Sequence, residues 1–347
     1  MLPHVHRITK YDPADRDDRG AYAGTLDPVS DHGPVEAAYL AAIAAFAEES
    51  GVRHLEVREP QVAPGFTHFG LEPPVEGHGL AGLFPPDLTG YHDGARVPLP
   101  VALELVRAML RDSGAWCRLE AEGAFAVHVG WDQYVYVGSA RPCPAAVART
   151  RALGLFPEPE DASPYDVEPD GRGERHPADD AFWARVRRSM AAGRAALLEE
   201  VHVDNASRWH RLTEGSVAAV RAGLAPRARL AVWPDLSPDV AGVLAAALTG
   251  EDSLVEVVWE DRDGRITGVV VDEDEFAAVA ARIADARAAA VLSVYVDERA
   301  PLLTAVLPDP DGVVRARWST VPIPGGGDRD GGGDGGRGGG GAVGACP

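Results

Sequence analysis

A chain of 347 residues, 46% hydrophobic and 25% charged, has the composition of a globular protein and room for two ordinary cores. Its 33 basic and 53 acidic residues leave a formal net charge of −20, split as 13 against 23 over residues 1–165 and 20 against 30 over the remainder. Both halves therefore repel phosphate backbones at long range, which argues against sequence-independent nucleic-acid binding, and three cysteines without framework spacing argue against a disulfide scaffold.

In chain order, residues 4–11 read as a strand around Val5 and Ile8, and 11–33 as a polar loop. Pro34 opens a helix whose Val35, Tyr39, Ile43 and Phe46 form one stripe, stopped by Gly51. A strand at 54–59 precedes a long Gly/Pro segment, 60–98, of the kind that is functional or covers a core edge. Pro100 begins a helix with Leu103, Val106 and Leu110 inward, ended by Gly114. Next, Phe125, Val127 and Val129 alternate with Ala126 and His128, and Val135 and Val137 with Tyr134 and Tyr136, the period of a half-buried antiparallel hairpin. A short helix runs from Cys143 and Pro144 to Gly154, and the Pro-rich, acidic stretch 157–177 reads as a linker.

The second half opens with a helix over 180–201, striped by Trp183, Val186, Met190, Leu197 and Val201, and a shorter helix near 216–222. A strand at 229–233, a helix from Ser237, a hairpin over 254–271 turning on Asp263 and Gly264, a helix over 275–289 and a meander to Trp318 follow. The glycine-rich stretch 325–347 has almost no side chains to offset ordering entropy and reads as a disordered tail. The pattern predicts an α+β fold of two domains, each a mainly antiparallel sheet with helices on one face: residues 1–157, a linker at 158–178, residues 179–322, and the tail at 323–347. Strand, helix, hairpin and helix recur in that order in both halves.

Few stretches carry chemistry. Gly77, Gly79 and Gly82 have G-x-G-x-x-G spacing, but prolines flank them on both sides, so no dinucleotide site and no cofactor is predicted. Asp15 to Gly20 starts like a calcium loop and fails at Arg19 and Leu26. His4 with His6, and His78 with His92 and Asp93, are ligand types that nothing in the sequence brings together, so hydrogen-bonded histidines are expected and no metal is assigned. Cys117 reads as a buried thiol. Cys143, before Pro144 at a helix start with Arg141 nearby, sits where a helix dipole favours a thiolate, yet no base is placed beside it. No catalytic residue is assigned.

The hairpin's outward face remains, where Trp116, Arg118 and Glu120 share a side with His128, Tyr134 and Tyr136. Aromatics beside a cation on an open sheet face are how single-stranded RNA is stacked in the four-stranded recognition fold. The consensus of that fold is not met, because Glu122 precedes Gly123 and Ala124 replaces an aromatic. Either the face binds a ligand, or the 60–98 segment or the second domain covers it.

The stretches HRITKYDPADRD (6–17), SDHGPVEAAYL (30–40), GHGLAGLFPPDLTGYHDG (77–94) and GWDQYVYVGSARPC (130–143) resemble an uncharacterised family of Streptomyces-type actinobacterial proteins labelled RNA-binding. The resemblance spans about residues 1–165 and implies RNA as a candidate partner, with no catalytic residue; 166–347 resemble no family. The expectation is a non-enzymatic, cytoplasmic binding protein that takes single-stranded RNA at Trp116, Arg118, His128, Tyr134 and Tyr136. An acidic interaction or immunity-type module for a basic protein partner is the alternative, and a thiol enzyme using Cys143 is the third reading. No run approaches 18 apolar residues and no charged-then-apolar leader begins the chain, so no membrane partner is expected.

Overall fold

A computed structural model describes residues 2–19, 22–24, 32–63, 76–130, 134–163, 174–247, 254–294 and 298–320. Residues 131–133 of the expected turn, 64–75 of the 60–98 segment, 164–173 of the expected linker and the glycine-rich tail lie outside them.

The first half contributes β1 (His4–Thr9), α1 (Pro34–Glu49), β2 (His54–Val62), β3 (Arg96–Pro98), α2 (Leu99–Leu110), β4 (Ala115–Ala121), β5 (Phe125–Val129), β6 (Val135–Ser139), α3 (Pro144–Ala152) and β7 (Phe156–Glu160). Its strands form one antiparallel sheet in the order β3-β2-β4-β5-β6-β1-β7. The period-2 alternation sends Phe125, Val127, Val129, Val135 and Val137 to one face, where they join Ile8, Leu55, Leu119 and the helix residues Tyr39, Ile43, Phe46, Leu105 and Val106 in a single core. Both edges are blunted: β3 has three residues, and β7 carries Pro157 and Pro159, which have no N–H to offer another strand. Because β7 pairs with β1, the first unit reaches Glu160, and the expected linker starts too early at 157.

The second half contributes α4 (Asp180–Ala191), β8 (Leu197–Val203), β9 (Ala206–Arg211), α5 (Val217–Gly223), β10 (Arg229–Trp233), α6 (Val240–Ala247), β11 (Val255–Glu260), β12 (Ile266–Val271), α7 (Glu273–Ile283), β13 (Ala288–Ser293) and β14 (Leu303–Val306). Two antiparallel sheets result, β14-β10-β8-β9 and β12-β11-β13. Alternate residues of neighbouring strands enter different cores. Leu198, Leu230 and Val232 meet Phe182, Trp183 and Val186 of α4. Leu197, Trp209, Ala231 and Trp233 meet Val258 and Ala288 of the other sheet. Val257, Val271 and Ala289 meet Phe276, Val279 and Ile283 of α7. The layers are helix, sheet, sheet, helix, so the α+β class holds while the expected single sheet in this half is replaced by two.

The helix expected over 180–201 ends at Ala191, with Gly193 at φ 67° turning the chain out of it. Leu197 and Val201 belong to β8, which is buried at every position between two layers and so shows no alternation that could separate strand from helix. The recurring element order does not recur in space: β2, β4 and β5 share a sheet, whereas β10 and the β11–β12 hairpin lie in different ones.

The two halves are joined at the β8–β9 turn. Asp204 N–H donates to the Pro60 carbonyl (2.8 Å), Val62 N–H donates to the Asp204 carbonyl (3.0 Å), and Val203 enters the first core. No helix among the described residues is long and apolar enough to cross a membrane.

Candidate functional site

The hairpin face has the predicted composition, but it is not open. The register sets His128 opposite Tyr136, Tyr136 opposite Arg7, and Arg7 opposite Glu158. Arg118, His128 and Tyr136 are buried at 6%, 5% and 6% exposure, while Trp116 and Tyr134 are half-buried. The Trp116 indole donates to the Val129 carbonyl (3.0 Å) and meets the His128 ring edge-on at 5.1 Å. Burial, with Arg118 adding to it, pushes His128 down to about 3, so it is neutral at physiological pH and supplies no cation.

Irregular chain from the C-terminal side closes one end of this face. Arg317 donates two hydrogen bonds to Glu120 (2.8 and 2.7 Å), and Arg58 donates to the Arg315 carbonyl (2.8 Å). Arg227 pairs with Asp309 at 2.8 Å and reaches Asp93 at 3.4 Å. The expected open platform of Trp116, Arg118, His128, Tyr134 and Tyr136 is therefore corrected to an interior surface over most of its width. Charged side chains on a sheet face invite an ion-paired cover as readily as they invite solvent.

Cys143 is likewise interior, at 3% exposure. Its Sγ lies 3.5 Å from Ser50 Oγ, 3.6 Å from Ser139 Oγ and 3.4 Å from the Arg141 carbonyl, none of them a base. The N-terminus of α3 is capped by Glu49, whose carboxylate accepts from Ala145 and Ala146 N–H (3.3 and 2.7 Å), so the helix dipole is spent on that carboxylate. Cys117 is fully buried, and burial pushes its thiol up to about 12. His6 packs against Phe46 at 5.4 Å, and burial lowers both His6 and His78. Gly77 and His78 form a 3-10 turn with left-handed backbone and open no α-helix. Among the described residues no group of three or more His, Cys, Asp or Glu is placed to hold a metal ion.

One member of the predicted face leads outward. The Tyr134 ring stands edge-on to Tyr11 at 6.4 Å, and Tyr11 packs on Tyr22 at 4.6 Å. Arg7 lies over the Tyr134 ring at 5.6 Å and Lys10 over the Tyr11 ring at 5.2 Å. Tyr11 and Tyr22 line a cleft of about 280 Å³ together with Lys10, Pro34, Val35, Ala38 and Leu155. Local turn chemistry places the tyrosines: Asp12 caps the Pro13–Asp15 turn through Ala14 N–H (2.9 Å), and Arg16 and Tyr22 form a β-bridge. Glu158 ties the turn to the sheet by accepting from Arg16 (2.7 and 2.5 Å) and Arg7 (3.1 Å), and these partners hold its carboxyl below the usual range.

Tyr11 and Tyr22 were hidden in the sequence because 11–33 has no period. The only usable signal was a pair of tyrosines bracketing an acidic turn beside the chain's one lysine. What the fold and cleft define is an α+β protein with an aromatic, weakly cationic groove on an otherwise acidic molecule. No family model matches this chain, and no curated protein or solved structure matches it either.

Proposed function

We propose that the protein is a non-enzymatic binding protein that takes an unstacked base of single-stranded RNA into the cleft lined by Tyr11 and Tyr22. The observation that carries this reading is the pair Tyr11 and Tyr22 lining a 280 Å³ groove with Lys10 at its wall, and Tyr134 backing Tyr11. Stacking on tyrosine tolerates any base and contributes about 1–3 kcal/mol per base. Arg7 and Arg16 pair with Glu158, and Lys10, whose ammonium lies 5.2 Å over the Tyr11 ring, is the cationic side chain that lines the groove. Binding is therefore weak and its salt dependence shallow, with a log–log slope of about 0.7 for each phosphate neutralised.

A titration of labelled single-stranded RNA pools at low and at physiological salt tests it. Tyr11→Ala combined with Tyr22→Ala should lower affinity roughly 5- to 150-fold, the loss of one stack. Absence of binding at low salt, or binding unchanged in the double variant, would end the reading. The net charge of −20 favours one other class, a basic protein partner. That reading gains if RNA stays unbound while a pull-down yields a protein released by salt.

A further inference from the structure

The second half encloses two carboxylates in the contact between its sheets. Glu199 comes from β8 and Glu256 from β11; they are 3% and 5% exposed. A single guanidinium, Arg299, lies between them. Its Nη2 contacts both oxygens of Glu199 at 3.1 Å, and its Nη1 donates to Glu256 Oε2 at 2.9 Å. The guanidinium also covers the Trp233 ring at 5.3 Å. Two buried carboxylates against one cation leave an uncompensated negative charge, which a low-dielectric contact relieves by binding a proton.

The donors are shared unequally. Glu199 also accepts from Ser207 Oγ and from the Trp233 indole, each at 2.9 Å, so its ionised form is well held. Glu256 accepts one close bond, from Arg299, with the indole of Trp209 nearby. Around Glu256, β12 presents Val270 and Gly268, β13 presents Leu292, and the charged groups acting on it are Glu199 and Arg299. A side chain at Gly268 would meet Glu256 Oε1 at 2.6 Å and Trp209 Nε1 at 2.7 Å, so the contact is tight there.

We propose that Glu199, Glu256 and Arg299 are a proton-operated latch: Glu256 carries the proton while the Arg299 guanidinium bridges β8 and β11, and its loss to solvent loosens residues 298–302 and the β11 contact. Burial, followed by the charge of Glu199, raises Glu256 to about 7, which puts the change in the physiological range. Glu256 titrates lower in the unfolded chain, so the latch adds stability below neutrality and loses it as pH rises through about 7.

Hydrogen exchange of the full chain, corrected for intrinsic rates, tests this at about pH 6 and about pH 8. Amides of β11 and of 298–302 should exchange roughly tenfold faster at the higher pH, the equivalent of one pKa unit. Glu256→Gln should remove that difference while the first sheet's amides stay unchanged. Exchange in these segments that is independent of pH, or a pH dependence that survives in Glu256→Gln, overturns the latch. Should that variant fail to fold, the carboxylic-acid stretch of the unaltered protein, followed by infrared titration, decides the matter. A buried carboxyl losing its proton near neutral pH supports the latch, and none doing so refutes it.

Discussion

Among the described residues, the helix-free sheet faces of the two halves are closed by different means. In the second half the β8–β10 face meets another sheet, and its cover is mainly apolar: Leu197, Trp209, Trp233 and Val258, flanked by the pairs of Arg299 with Glu199 and Glu256 and of Arg211 with Glu260. In the first half the face bearing Arg58, Arg118 and Glu120 meets irregular chain, where Arg317 pairs with Glu120 and the Arg315 carbonyl accepts from Arg58. A sheet brings its own satisfied backbone and can bury greasy side chains. An irregular segment brings unpaired N–H and C=O groups, and the surface beneath it has to answer them with charge. The helix-free face of the first half thus resembles a ligand platform in composition while serving as an internal seam.

The largest expected effect tests the apolar closure. Trp233→Ala removes a buried ring, the indole donor to Glu199 and the stacking surface of Arg299, and should cost about 3–5 kcal/mol in urea unfolding, with little change in high salt. Arg317→Ala attacks the ionic closure. It strips Glu120 of a bidentate partner, and because both side chains keep some solvent the cost should be about 1–2 kcal/mol, shrinking as salt is added. Equal salt sensitivity in the two variants would erase the distinction between the faces.

The pH response separates them further. His128 on the first face and His202 on β8 are held neutral, pushed down by burial to about 3 and about 4, with Arg118 and Arg208 adding to the effect. Each titrates near 6.5 when unfolded, so their contribution is complete above that value and is lost as pH falls toward 4. Glu256 acts in the opposite sense, losing stability as pH rises through about 7. Thermal midpoints should therefore stay nearly level above about pH 6.5, where the two senses cancel, and fall below it, where two histidines outweigh one carboxyl, by on the order of 3 kcal/mol at pH 4. His128→Asn should remove most of that acid loss, because His202 and Glu256 then nearly cancel. The smallest effect belongs to the cleft: Tyr22→Ala should change stability by about 0.5 kcal/mol, as at other half-exposed surface positions, whatever it does to RNA binding. Iodoacetamide should label Cys143 far more slowly than a free thiol, because its Sγ is enclosed by Ser50, Ser139 and the Arg141 carbonyl.

Much of the first sheet was legible because one of its faces is apolar and the other polar. The alternation of Phe125, Val127 and Val129, and the stripe of Tyr39, Ile43 and Phe46, each name an inward face without ambiguity. The candidate site was half legible. Tyr134 was found, but its partners Tyr11 and Tyr22 lie more than a hundred residues earlier on an aperiodic turn. Leu197–Val203 was misread because a strand buried on both sides displays no period at all.

The sequence by itself determined the α+β class, the positions of most helices, the hairpins at 115–139 and 254–271, and which side chains share a face, since these follow from local periodicity and turn chemistry. Only the tertiary structure decided which faces stay wet, that the second half splits into two sheets, and that Glu199, Glu256 and Arg299 meet. Those outcomes depend on contacts between segments far apart in the chain, and periodicity reports only that a face is polar, without saying what will come to lie on it.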